Sequence, residues 1–184
     1  MKQVRDMTEA ELAAFVSQHL RERGIEVVLS GGMCVTIYAE RKYVSGDLDL
    51  VMETGFKTRK YESALAEIGF VRTGRTFKHQ DSALLVDIRP PPLSVGQEPV
   101  GKVVERKLDT GTLRILSSTD CVKDRLAGYY YHNDNQCLEQ ARLVVQHNAD
   151  VDLSEVARWS EAEGEALAFA AIRDKLLRHK PIDK

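Results

Sequence analysis

Two carboxylates one residue apart inside an apolar run, Asp47-Leu48-Asp49-Leu50-Val51-Met52, constrain this chain more than any other feature. Side chains alternate faces along a strand at a rise of about 3.3 Å per residue. Leu48, Leu50 and Met52 therefore point into a core, and Asp47 and Asp49 share the opposite face. Like charges on one face repel, and a charge drawn out of water is costly unless paired, so the pattern demands a cation. Oxygen-only donors favour a hard ion, Mg²⁺ or Mn²⁺, over zinc.

Two further features agree with that reading. Asp87 ends another apolar β-like run, Ala83-Leu84-Leu85-Val86-Asp87-Ile88. If its strand lies beside the first, Asp87 becomes a third ligand, and three carboxylates can hold two metal ions. Ser30-Gly31-Gly32 closes the short strand-like run Ile25-Glu26-Val27-Val28-Leu29 and leads into an apolar stretch that can begin a helix. A glycine turn of this kind presents backbone N–H groups with no side chain in the way, where phosphates bind well. A phosphate-binding turn facing a carboxylate cluster suits phosphoryl or nucleotidyl transfer. The plain alternative makes Gly46-Asp47 a polar turn and puts Asp49 on a solvent-facing edge, which leaves the glycines and Asp87 without a common purpose.

The rest of the chain reads as α+β. Thr8-Glu9-Ala10-Glu11 is a capping box for a first helix running to about Arg23 and stopped by Gly24. Lys57 to Ile68 has helical spacing and ends at Gly69. Phe70-Val71-Arg72, Arg75 to His79 and Ala83 to Ile88 read as strands, closed by Pro90-Pro91-Pro92. A further hairpin fits Lys102 to Leu116. Beyond it the pattern is helical, with Ser118 or Thr119, Asp134, Ser154 and Ser160 as candidate caps, the last completed by Glu163. The expected architecture is a mixed β-sheet core flanked by helices over residues 1–116, with a C-terminal helical bundle, residues 117–184, packed on it.

With 43% hydrophobic and 29% charged residues and a net charge of -2, the composition argues against a generally basic nucleic-acid binder. The N-terminal stretch lacks the apolar run of a secretory signal, and no segment approaches a membrane span. Cys34, Cys121 and Cys137 are scattered without zinc spacing, so a reducing cytoplasm fits them as buried small side chains.

The set Gly-Gly, then Asp-x-Asp with apolar neighbours, then a later Asp resembles the DNA polymerase β-like nucleotidyltransferase superfamily over Ile25 to Ile88. Ser118-Thr119-Asp120 through Leu126-Ala127 also looks like the segment opening the helical part of small bacterial nucleotidyltransferases, including toxin–antitoxin-associated ones of the AbiEii type. The resemblance implies that Asp47 and Asp49 bind Mg²⁺ or Mn²⁺, and that Asp87 completes the site and helps to activate an attacking hydroxyl. It implies that Gly31 and Gly32, with Ser30, hold a nucleoside triphosphate. Ser45 stands where relatives often carry a small hydroxyl residue, and Arg125 where many carry a helical lysine that contacts phosphate.

The sequence leaves the acceptor open among a tRNA, a protein and a small molecule, calls for no membrane, and leaves the assembly open between a homodimer and a complex with a cognate partner protein. Two departures stand out. Fourteen residues separate Gly32 from Asp47, and His132-Asn133-Asp134 replaces the Lys-Asp pair of many toxin-type relatives. The rival class is a non-catalytic binding module on the same fold that holds a partner on its helical surface, as a component of a toxin–antitoxin pair would.

Other patterns read as structure. Gly96 to Val103 fits GxxxxGK but lacks the following Ser or Thr and leads into a strand, so it reads as a loop. Tyr129-Tyr130-Tyr131 reads as packing between a helix and the sheet. The basic groups Lys57, Arg59 and Lys60, with Arg72, Arg75 and Lys78, read as a solvated surface.

Overall fold

The computed structural model describes residues 2–55 and 58–178. One seven-stranded mixed sheet organises them, in the spatial order β3 (Phe70–Thr73), β4 (Thr76–His79), β5 (Leu85–Arg89), β2 (Asp47–Met52), β1 (Val27–Ser30), β9 (Gly111–Leu116), β8 (Val103–Leu108). β2 sits at the centre, antiparallel to β1 and parallel to β5. β1 runs parallel to β9, and the remaining neighbours are antiparallel hairpins. A two-stranded ribbon, β6 (Ser94–Val95) with β7 (Glu98–Pro99), follows the prolines and has no counterpart in the sequence reading, because two-residue strands leave no periodicity to detect.

The helices are α1 (Glu9–Glu22), α2 (Gly31–Tyr38), α3 (Thr58–Glu67), α4 (Ser118–His132), α5 (Asn135–His147), α6 (Leu153–Ala162) and α7 (Ala166–Leu177). The capping box at Thr8 and Glu11 forms as expected. Lys57, the expected start of α3, lies outside the described residues, as do residues 179–184 of the expected helical region. The caps of the last third differ from expectation. Ser117, not Ser118 or Thr119, caps α4, its Oγ accepting from the Asp120 N–H at 3.0 Å. Asp134 caps α5 as expected. Asp152 caps α6, so Ser154 and Ser160 fall inside that helix, and α7 begins without a side-chain cap. Ser160 is fully buried, and its hydroxyl meets that of Tyr130 at 3.0 Å.

One hydrophobic core joins sheet and helices. Leu12, Val16 and Leu20 of α1 belong to the same buried cluster as Leu113 and Ile115 of β9, Leu126 of α4 and Val144 of α5. Each such side chain taken out of water contributes about 1.5–3 kcal/mol. Polar ties join α2 to β9, the end of α5 to α2, and α6 to β6. The Tyr38 hydroxyl donates to the Leu116 carbonyl at 2.7 Å, and Asn148 Nδ2 donates to the Tyr38 carbonyl at 2.9 Å. Fully buried Trp159 stacks near Tyr130 and donates from Nε1 to the Val95 carbonyl at 3.2 Å. Tyr130 thus packs α4 against α6 rather than a helix against the sheet, and Tyr131 is exposed and bonds Glu163.

Candidate active site

β2 places its carboxylates by simple alternation: Leu48, Leu50 and Met52 are buried while Asp47, Asp49 and Val51 face the other side. Register does the rest. Asp49 is level with Ser30 on β1 and with Asp87 on β5, and Asp47 is level with Leu85. Residues directly opposite across a ladder share a face, so Asp47, Asp49 and Asp87 converge on one side of the sheet centre.

Asp47 is held through a short relay. Ser45, almost fully buried, donates from Oγ to Asp47 Oδ1 at 2.9 Å. The Ser45 N–H donates to Thr36 Oγ1 at 3.0 Å, and that hydroxyl donates to the Gly32 carbonyl at 3.3 Å. Thr36, absent from the sequence reading, therefore links the glycine turn to Asp47 from one helical turn inside α2.

The glycines are the first residues of α2 rather than a break before it. Gly31 has φ +69°, and a Cβ there would lie 3.0 Å from Asp49 Cγ and nearer still to Oδ2. At Gly32 a Cβ would meet Ser45 Oγ at 3.0 Å and the Tyr43 ring at 3.3 Å. Only glycine lets the helix start this close to the carboxylate. Ser30 makes no side-chain cap, its Oγ turning instead to the Asp49 carbonyl at 3.4 Å, so α2 starts without a side-chain partner from its N-cap.

The cation that the acidic face demands is present in the chain. Arg89, two residues past Asp87 and therefore on the same face, donates from Nε and Nη2 to Asp49 Oδ1 at 3.0 and 2.8 Å. Its Nη2 also lies 3.2 Å from Asp87 Oδ2. Burial raises the Asp49 pKa above its ordinary value; Arg89 opposes that shift, and the Asp47 and Asp87 charges reinforce it. Arg89 in turn has its pKa raised, chiefly by the bond to Asp49. The sequence reading looked only for a metal. The Asp-x-Arg spacing was the available signal, since it places both residues on one strand face.

Among the described residues no three His, Cys, Asp or Glu side chains close around a metal position. The donor chemistry nonetheless suits a hard cation, because three aspartates share one face and a guanidinium already neutralises two of them.

Two cavities meet at Arg89. One, of about 280 Å³, is lined by Ser30, Gly31, Asp49, Arg89, Asp124 and Arg125. It brings Arg125 of α4 to the wall that also holds the glycine turn. Arg125 is fixed by Asp124 Oδ2, 3.0 Å from Nε, and by Gln140 Oε1, 3.2 Å from Nη1. Burial works against its charge, but Asp124 more than offsets it and raises the pKa. The other cavity, of about 300 Å³, is bounded by Tyr61, Arg72, Arg75, Asp87 and Arg89. Gly32, Ser45 and Asp47 line neither. The Gly96 to Val103 stretch spans the turn between β6 and β7 and runs into β8, with no helix for a phosphate loop.

No protein-family model and no curated protein matches the chain. Solved structures do. The crystal structure of ANT(2'')-Ia in complex with adenylyl-2''-tobramycin is 17% identical, covering 85% of this chain and 93% of that one at a TM-score of 0.52. An antigenic nucleotidyltransferase-like protein from Paracoccidioides brasiliensis is 12% identical, covering 87% and 91% at a TM-score of 0.56. The solution structure of the antibiotic-resistance factor ANT(2'')-Ia is 16% identical, covering 88% and 91% at a TM-score of 0.49. With the mixed sheet and its flanking helices, the two likenesses above 0.5 show that this chain has a nucleotidyltransferase fold.

Proposed function

We propose that the chain transfers a nucleoside monophosphate from a nucleoside triphosphate to an acceptor hydroxyl and releases pyrophosphate. The carrying observation is the alignment of Asp49 with Asp87 across parallel strands, Asp47 on the same face, beside the bare start of α2. The fold shared with a protein solved around adenylyl-2''-tobramycin supports this reading.

In it, the N–H groups at Gly31 and Gly32 and the Arg125 guanidinium hold the triphosphate in the cavity that Gly31 and Arg125 border. Asp47, Asp49 and Asp87 would hold Mg²⁺ or Mn²⁺, which supplies charge neutralisation and Lewis acidity at the phosphates. Ser45, through its bond to Asp47, keeps that carboxylate aimed at the common face. Asp87 accepts or orients the hydroxyl proton as the acceptor oxygen bonds to the α-phosphorus and the bond to the pyrophosphate oxygen breaks.

The test is transfer of label from α-labelled triphosphates to cellular RNA, protein and small-molecule acceptors. Metal-dependent labelling that disappears on replacing Asp47 and Asp49 together by Asn is the expected result. Absence of labelling, together with no rise in Tm on adding triphosphate and Mn²⁺, overturns the reading. The Arg89 bridge favours one rival, a non-catalytic nucleotide-binding module, because it neutralises the carboxylates without a metal. Triphosphate binding without Mn²⁺ uptake would identify that rival.

A further inference from the structure

We propose that the cavity bounded by Arg72, Arg75, Asp87 and Arg89 is an acceptor subsite for a phosphate-bearing molecule. The acceptor role rests on the transfer reading above; the phosphate site does not. Three guanidinium groups and one carboxylate line about 300 Å³, and Glu62 and Asp49 balance Arg72 and Arg89 there. These arginines are not equivalent. Arg89 is engaged by Asp49 and Asp87. Arg72 is pinned by Glu62 and by the Gly74 carbonyl, which accepts from its Nε at 3.0 Å, so its position is set in advance. Arg75, in the turn between β3 and β4, has no ion pair or hydrogen bond among the described residues and is available to a ligand. One fixed and one free guanidinium fork at the edge of a cavity suit a phosphate, whose oxygens accept paired N–H bonds.

Placement makes the subsite more than a basic surface. The nucleotide cavity lies on the Gly31 and Arg125 side of Arg89, and this cavity lies on its Arg75 side, with Asp87 on the wall. A molecule whose phosphate rests on Arg72 and Arg75 presents a neighbouring hydroxyl to Asp87, the group already assigned to its proton. The volume is at the small end for ligand sites, which suits one phosphorylated unit: either a free phosphomonoester or the terminal nucleotide of a single strand.

Titration calorimetry on the full chain at low salt tests this, with ribose 5-phosphate, a short single-stranded oligoribonucleotide and unphosphorylated ribose as probes. Both phosphate-bearing probes should bind and ribose should not. Arg75→Glu should weaken phosphate binding roughly tenfold or more, and Arg75→Ala should reduce the salt-dependence slope by about one. Much tighter binding of the oligonucleotide assigns the subsite to a strand end, and comparable binding of both assigns it to a small phosphomonoester. Unchanged affinity in Arg75→Glu, or ribose binding as well as its phosphate, overturns the proposal. Phosphate binding that depends on Arg75 in a chain that transfers nothing would sink the transferase reading alone. Undiminished transfer by Arg75→Glu onto a phosphate-bearing acceptor would sink the subsite alone.

Discussion

Asp49 concentrates the physical tension of this protein. Because burial and its acidic neighbours raise its pKa, the folded chain binds that proton more tightly than the unfolded one. Ionised Asp49 therefore costs stability at neutral pH, and the cost fades as pH falls through the raised pKa towards the ordinary 3.8. Asp49→Asn should leave the unliganded fold as stable as the parent or up to about 1 kcal/mol more so near neutral pH, with the difference shrinking in acid. Urea unfolding at the two pH values measures it. Arg89 is the counterweight. Arg89→Met should lower the Tm of the unliganded chain by an amount equivalent to about 1 kcal/mol, since the guanidinium is half exposed, yet tighten Mn²⁺ binding by removing a competing cation. Titration followed by electron paramagnetic resonance reads the second effect. Gly31→Ala puts a side chain at positive φ and against Asp49, and should cost about 2 kcal/mol while displacing the carboxylate. The carboxylates and glycines were legible as residue types in a pattern. Arg89 was legible only as a residue on the face of Asp87; its pairing with Asp49 is set by the sheet and not by its neighbours in sequence.

Among the elements, α4 carries Arg125 and must be held against the rest. Its buried Lys123 reaches Glu155 of α6 at 2.7 Å, Asp120 at 3.3 Å and Glu98 of β7 at 3.9 Å. Arg158 adds bonds to Glu98 and Glu155. Arg158 first, then Lys123, lowers the Glu155 pKa from 4.5 to about 2. A carboxylate depressed in this way stabilises the fold above pH 4.5, and that contribution is lost as pH falls towards 2. Lys123→Met takes the cation from Asp120 and leaves Glu98 and Glu155 to Arg158 alone, and should cost about 2 kcal/mol by denaturant unfolding. Element existence was readable from spacing and caps, as at Thr8 and Asp134. The misassigned caps at Ser118, Ser154 and Ser160 have one cause: a serine within a turn of a helix start looks the same in sequence whether it caps or is buried, and Ser160 is buried by Trp159 and Tyr130 packing.

For the whole molecule, the buried cluster runs unbroken from α1 through the sheet to α4, α5 and α7. A chain ending at residue 116 would expose the apolar faces that Leu126, Leu138, Val144 and Trp159 cover, and should fail to give a cooperative unfolding transition, as circular dichroism would show. The full chain should unfold in one transition. Local sequence sufficed for the alternation that puts Asp47 and Asp49 on one face, for a glycine turn between β1 and a helix and for the switch from strands to helices after Leu116, because each is written in spacing over a few residues. Only the tertiary structure set β5 beside β2 in parallel, level at Asp49 and Asp87, bringing Arg89 to the acids, and packed α4 so that Arg125 shares a cavity with Gly31. Those strands are separated by α3 and two hairpin strands, and pairing across such a distance is decided by which faces can be buried together, a property of the packed chain and not of any segment within it.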